Sequence, residues 1–182
     1  MKHFFLLLSM LVAVVAGNAH AEKADSDKPT NVEADQMAYD DVKQVNTFTG
    51  NVVLTRGTLI MRAHKLIVSQ DPAGYQFATL LAPPGGLATF RQKRDAGPNQ
   101  WIEGQAERIE YDGKVEIVKL FSKAKMRRLE GNKPTDEVEG EFISYDSRAE
   151  FFTVNNTATG ANKPGGGRIK AVIQPRSESK DK

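Results

Sequence analysis

Few residues in this chain carry the chemistry of a catalyst. Cysteine is absent, and of the three histidines two, His3 and His20, lie at the extreme N-terminus, which leaves His64 alone in the body of the chain. A nucleophilic site needs a thiolate or hydroxyl held against a base, and a zinc site needs several imidazole or thiolate ligands. One histidine followed by Lys65 supplies neither. No glycine-rich loop ends in Lys-Ser or Lys-Thr, the arrangement that cradles nucleotide phosphates. Carboxylates are plentiful, but they fall at strand ends and outward positions, as Glu139 and Glu141 do on one face of one segment. Such a pair is more simply a solvated surface than the two acids of a glycosidase. The expectation is a protein that is not an enzyme and holds no metal or cofactor.

The basic residues allow two readings. Lys123, Lys125 and Arg127 alternate with Ala124 and Met126, so they line one face of a strand, and Arg91, Lys93 and Arg94 cluster behind Phe90. They form either a solvent face that discourages edge aggregation or contacts to phosphates or acidic sugars of a lipid head group. Over the whole chain 25 basic residues meet 23 acidic ones, a formal charge of +2. That balance gives no reason to expect a nucleic-acid partner.

The elements that carry these residues are strands. From Asn31 to Asn155 apolar and polar residues mostly alternate, the two-residue period of a half-buried strand. Phe48, Val52 and Leu54 share a face, as do Leu59, Met61 and Ala63, then Ile109 and Tyr111, then Val118, Leu120, Ala124 and Met126. Turn formers punctuate the runs at Arg56-Gly57, Asp71-Pro72, Pro83-Pro84-Gly85-Gly86, Asp112-Gly113 and Asn132-Lys133-Pro134. Short strands with frequent turns argue for an all-β antiparallel sandwich or jelly roll.

A weak repeat runs through these strands. Ala34-Asp35-Gln36-Met37-Ala38-Tyr39-Asp40 matches the segments that begin at Ala63, Ala106 and Gly140. Each gives a small residue, a polar one, two same-face apolar groups and a turn former. Physically this describes a strand entered at a tight corner, where backbones crowd and only a small side chain fits.

The ends of the chain differ in composition. Lys2, an apolar run from Phe4 to Ala16 and the small residues of Ala19-His20-Ala21 read as a signal peptide over residues 1–21, cleaved after Ala21. The mature protein is then expected in the periplasm, with its stability drawn from burial and backbone hydrogen bonds, since no disulfide is possible. One β-domain is expected over residues 22–155, a flexible Gly/Asn-rich linker over 156–167, a last strand within 168–175, and a disordered tail over 176–182.

The segment Phe48-Thr49-Gly50-Asn51-Val52-Val53-Leu54-Thr55-Arg56-Gly57-Thr58-Leu59-Ile60-Met61-Arg62-Ala63 resembles the signature of the OstA-like family. Pro29 to Asp35 is similar to that family's first strand, and weaker similarity runs through Ile102-Glu103-Gly104, Ile109-Glu110-Tyr111 and Val138 to Tyr145. There are departures: His64 replaces the usual Asp, and Leu120-Phe121-Ser122-Lys123-Ala124 replaces a second strand-Thr-Gly-Asn-Ala motif. The resemblance implies a twisted β-jelly roll, a V-shaped two-sheet sandwich with open edges whose interior receives the acyl chains of lipopolysaccharide. It further implies self-association head to tail, between LptC at the inner membrane and the N-terminal domain of LptD at the outer membrane.

Under this resemblance the lipid path is lined by Thr30, Val32, Phe48, Val52, Leu54, Leu59, Met61, Leu66, Val68, Phe90, Ile109 and Tyr111. The partner strands present Thr30, Val32 and Ala34 at one end and Ile169, Ala171 and Ile173 at the other. The residues themselves leave a second reading open, a purely structural β-module that binds only protein in an envelope complex. A filled interior that takes up no lipid would mark that case, and bound lipid would mark the first.

Overall fold

The computed structural model describes residue 25, residues 27–97 and residues 99–175. The expected signal peptide and the tail from 176 lie outside the described residues. Among those described there are twelve strands: β1 (Asn31–Glu33), β2 (Gln36–Asp40), β3 (Val45–Arg56), β4 (Leu59–Gln70), β5 (Gln76–Leu81), β6 (Ala88–Lys93), β7 (Gln100–Ala106), β8 (Arg108–Asp112), β9 (Ile117–Glu130), β10 (Lys133–Asp146), β11 (Phe151–Asn155) and β12 (Lys170–Ile173). Every ladder between them is antiparallel.

Four strands are long, with 12 residues each in β3 and β4 and 14 each in β9 and β10. Each runs through both layers of the fold and bends on the way. One layer reads β1-β3-β4-β6-β7-β9-β10-β12, using the C-terminal halves of β3 and β9 and the N-terminal halves of β4 and β10. The other reads β2-β3-β4-β5-β8-β9-β10-β11 and uses the opposite halves. The inner faces of both contribute to one apolar cluster, from Val52, Met61, Phe90, Ile102 and Met126 on one side to Leu66, Leu80, Ile109, Leu120 and Ile143 on the other. This is the two-layer jelly roll expected from the alternation.

The bends fall along one line, and the sequence repeat marks it. In β3 the ladder slips by one residue between Thr49 and Val52, where Gly50 and Asn51 take φ of 81° and 47°. In β9 the matching slip faces Gly140 and Phe142, and Ser122 and Lys123 take φ of 60° and 52°. Two consecutive left-handed residues turn the strand from one layer into the other. The departure at Ser122-Lys123 thus keeps the geometry without the glycine. Between β1 and β2 the Asp35 amide donates to the Gly50 carbonyl, and between β7 and β8 the Glu107 amide donates to that of Ser122, each at 3.0 Å.

Small residues stand on this line for want of room. A Cβ on Gly140 would lie 2.6 Å from Val154 Cγ1, and Ala106 is fully buried. At the far end of three of the four repeats the turn former caps a loop: Asp40 accepts from the Lys43 amide, Asp112 from Lys114, and Asp146 from Arg148, each at 3.0 Å.

Two substitutions test this account. A Cβ at Gly104 would sit 2.1 Å from Cε1 of Phe90, its cross-strand neighbour, whose ring is 4% exposed and cannot move away. Gly104→Ala is expected to cost about 2–4 kcal/mol in urea unfolding through overpacking. Ser122→Gly relieves a left-handed non-glycine residue and is expected to raise stability by about 1 kcal/mol in the same measurement.

Candidate functional site

The site is the inner face shared by the two layers. Strand alternation puts Val52, Leu54, Leu59, Met61, Leu66, Phe90 and Ile109 in the buried core, and packs Val32, Phe48, Val68 and Tyr111 against it half-buried. Thr30 is exposed at one end of the face. All are on or beside the inner surface, but only some of them share one cavity between the layers. Thr30, Leu54, Leu59, Met61, Val68 and Tyr111 line one apolar cavity together with Arg56, Gln76 and Ala78. Val52, Leu66, Phe90 and Ile109 lie away from that cavity, and Phe90 is packed over Gly104.

The cavity is small, about 40 Å³. A single water's share of liquid volume is about 30 Å³, so a hydrocarbon chain cannot enter unless the layers part. Elsewhere the inner faces interdigitate; Ile102, Ile109, Leu120 and Ile143 are sealed from solvent. Between the inner faces of the described residues, the apolar space at Thr30, Gln76 and Tyr111 is therefore a narrow opening.

Along the side of the sandwich away from the bends, arginines reach across from one layer to the other. The Arg56 guanidinium lies 5.8 Å from the centre of the Tyr111 ring. Arg94, only 7% exposed, pairs with the Glu150 carboxylate. Arg128 donates to the Glu150 carbonyl at 3.0 Å and stands 5.4 Å from the Phe152 ring centre. The Nε of each of these three arginines is buried without a hydrogen-bond partner, which makes this closure costly to hold and less so to release. Sequence reading missed Arg56 and Arg128, and it set Arg94 in a basic cluster facing solvent or a head group, whereas Arg94 is buried against Glu150. The signal was there: Arg56 and Arg128 occupy inward positions in the alternation that runs Val52-Leu54 and Ala124-Met126.

The basic strand face points the other way. Lys123 pairs with Glu107 at 2.6 Å, Lys125 with Glu137 at 2.7 Å and Glu139 at 3.0 Å, and Arg127 with Glu103 at 3.6 Å. Across the outer face Arg91, Glu103, Arg127 and Glu137 stand side by side with alternating charge. The hydrogen bond from Lys125 holds the Glu139 carboxyl below its ordinary value, and the bond to Glu137 raises Lys125. A lowered carboxylate adds stability above its unfolded pKa and loses it as pH falls, so the Lys125–Glu139 pair supports the sheet at neutral pH. Of the two readings the structure favours the solvent face, since these cations are already matched.

Among the described residues the edge strands expose large apolar side chains, and no further strand pairs with them. Met37 and Tyr39 on β2 are 58% and 50% exposed, and Ile169 and Ile173, beside and within β12, are 50% and 80% exposed. Through their ladders Met37 shares its face with Phe48, and Ala171 with Val138. The inward face thus continues past both ends of the molecule. Soluble proteins manage such edges by covering or charging them; among the described residues no segment covers these.

A two-layer antiparallel jelly roll with a shared apolar interior and open apolar edges at both ends defines the class, that of the OstA-like β-jelly rolls. Residues 31–151 match the model of the family described as "LptA/(LptD N-terminal domain) LPS transport protein". The chain belongs to this family. It is 32% identical to the lipopolysaccharide export system protein LptA of Escherichia coli over 97% of this chain and 86% of that protein. It is 27% identical to LptA of Haemophilus influenzae over 93% and 91% of the two chains. Among solved structures, that of LptH from Pseudomonas aeruginosa superposes with a TM-score of 0.70 at 27% identity, over 83% of this chain and 99% of that one. LptH is described there as the LptA-homologous periplasmic component of the lipopolysaccharide transport device.

Glu150→Gln tests the closure of the sandwich. Loss of the carboxylate leaves Arg94 buried beside a neutral amide, and a cost of about 1–3 kcal/mol is expected in urea unfolding. The same change at exposed Glu141 should cost less than about 0.5 kcal/mol.

Proposed function

We propose that this chain carries lipopolysaccharide across the periplasm, taking its acyl chains between the two layers and joining like units edge to edge into a bridge. The single observation that carries this reading is the inward apolar face that runs on past bare sheet edges at both ends. A lipid with several acyl chains cannot cross water unshielded, since each exposed methylene costs about 0.8 kcal/mol. An interior continuous from unit to unit removes that cost along the whole path. Membership in a family of lipopolysaccharide transport proteins supports the same substrate.

In this reading the mature chain starts after Ala21. Its N-terminal edge, Thr30, Val32 and Ala34, meets LptC, and its far edge, Ile169, Ala171 and Ile173, leads toward the N-terminal domain of LptD. The chain catalyses nothing, and the direction of flow comes from outside it. The entry point for hydrocarbon is the opening at Thr30, Leu54, Leu59, Met61, Val68 and Tyr111, and loading parts the layers along the side held by Arg56, Arg94 and Arg128. The remaining inward residues of the proposed path, Val32, Phe48, Val52, Leu66, Phe90 and Ile109, meet lipid only in that parted state.

Depletion of the protein is expected to stop lipopolysaccharide reaching the cell surface, and the protein purified free of membranes should carry lipid A species. Surface lipopolysaccharide at normal levels after depletion would end the transport reading and leave the purely structural module. A photo-reactive residue at Tyr111 is expected to cross-link to lipopolysaccharide strongly, one at Phe90 weakly, and one at outward Arg91 not at all, read on blots of the cross-linked species. Equal yields at Tyr111 and Arg91 would place the lipid elsewhere.

A further inference from the structure

The chain is built as two like halves. β1 meets β3 with Val32 opposite Leu54, and β7 meets β9 with Gly104 opposite Met126. Met37 lies opposite Phe48 as Ile109 lies opposite Leu120. The β3–β4 and β9–β10 ladders agree residue for residue, from Phe48–Leu66 and Leu120–Ile143 through the one-residue slip to Leu54–Met61 and Met126–Val138. β6 then leaves β4 at Met61–Phe90 as β12 leaves β10 at Val138–Ala171, and β5 and β11 depart at Leu66–Leu80 and Ile143–Val154.

The halves meet where β6 pairs β7 in one layer and β5 pairs β8 in the other. The second half therefore ends in β12 and β11, the counterparts of β6 and β5. The first begins with β1 and β2, the counterparts of β7 and β8. We propose that a second copy of this chain docks by repeating this internal seam, which fixes the register of the joint. Resting on the reading of the chain as a bridge unit, the joint sets Ile169 opposite Ala34 of the next copy, Lys170 opposite Glu33, Ala171 opposite Val32, Val172 opposite Asn31 and Ile173 opposite Thr30. In the other layer Phe152 faces Tyr39 and Val154 faces Met37.

Three observations agree with this register independently of the symmetry. Inside the chain the large Phe90 covers Gly104; at the joint the small Ala171 covers the larger Val32, so the bulk changes sides and the gap is filled again. The exposed apolar residues Met37, Tyr39, Ile169 and Ile173 are among those the joint buries. Lys170 meets Glu33, opposite charges at the place held internally by Thr89 and Gln105, whereas a slip of one residue would turn the apolar set outward.

The seam also says how to trap the joint. The Arg94 amide donates to the Gln100 carbonyl, and antiparallel pairs alternate, so Thr89–Gln105 and its counterpart Lys170–Glu33 are non-hydrogen-bonded pairs with Cα atoms about 4.5 Å apart, within disulfide reach. The chain has no cysteine of its own. Full-length Glu33→Cys/Lys170→Cys protein, concentrated and mildly oxidised, is expected to give a covalent ladder on non-reducing gels, with the 33–170 disulfide found by mass spectrometry. Asn31→Cys/Lys170→Cys, displaced by two strand residues or about 6.6 Å, should form it roughly tenfold more slowly. No ladder from the first pair, or equal ladders from both, overturns the proposal.

Glu33→Lys and Lys170→Glu should each weaken self-association roughly two- to fivefold, and the double exchange should restore it. Failure of the double exchange to restore it also counts against this register. A ladder from protein that never carries lipid A would leave the joint standing and overturn the transport reading. Lipid A on a protein that forms no ladder in register would do the reverse.

Discussion

Backbone crowding along the line of bends is the constraint on which this fold depends. A twisted antiparallel sheet folds over on itself only where its strands can bend without losing their ladders. Here the long strands bend together, through paired left-handed residues at Gly50-Asn51 and Ser122-Lys123 and through small residues at Ala63 and Gly140, with Ala106 at the corner between β7 and β8. Because strands continue through the bend, the two layers face each other by construction. Their free edges come in pairs, β1 with β2 at one end and β12 with β11 at the other. The open ends are thus a consequence of the bends.

Opposed layers give an interior, but its state depends on what holds the far side. Arg94 and Arg128 draw Glu150 across, and Arg56 stacks on Tyr111, while each keeps a buried Nε without a partner. Apolar packing therefore closes the sandwich with help from contacts that are individually imperfect. A protein meant only to be stable would place apolar residues of similar volume at these positions. Imperfect closure suits the loading proposed above, in which side-chain contacts are exchanged for acyl chains.

Charge is distributed to match. Outer faces carry alternating signs, with Arg91, Glu103, Arg127 and Glu137 in one row, so they stay solvated and do not stack on one another. The edges carry exposed methionine, tyrosine and isoleucine, so in the proposed bridge sheet growth would run along the strand-stacking axis. Heterologous joining along one axis makes an open filament, the form that a span between two membranes requires.

Much of this was legible in the letters. Alternation marked the strands, and the four-fold repeat marked the bends. These are local properties, carried by a two-residue period and by residues that can turn. The letters could not separate Phe90, packed over Gly104, from Tyr111, open to the cavity, since both are large, aromatic and inward. Nor could they show that Lys123, Lys125 and Arg127 are already matched by carboxylates, or that Arg56, Arg94 and Arg128 span the layers. Those facts depend on which strands become neighbours and on how far apart two faces settle, distances that only the folded chain decides.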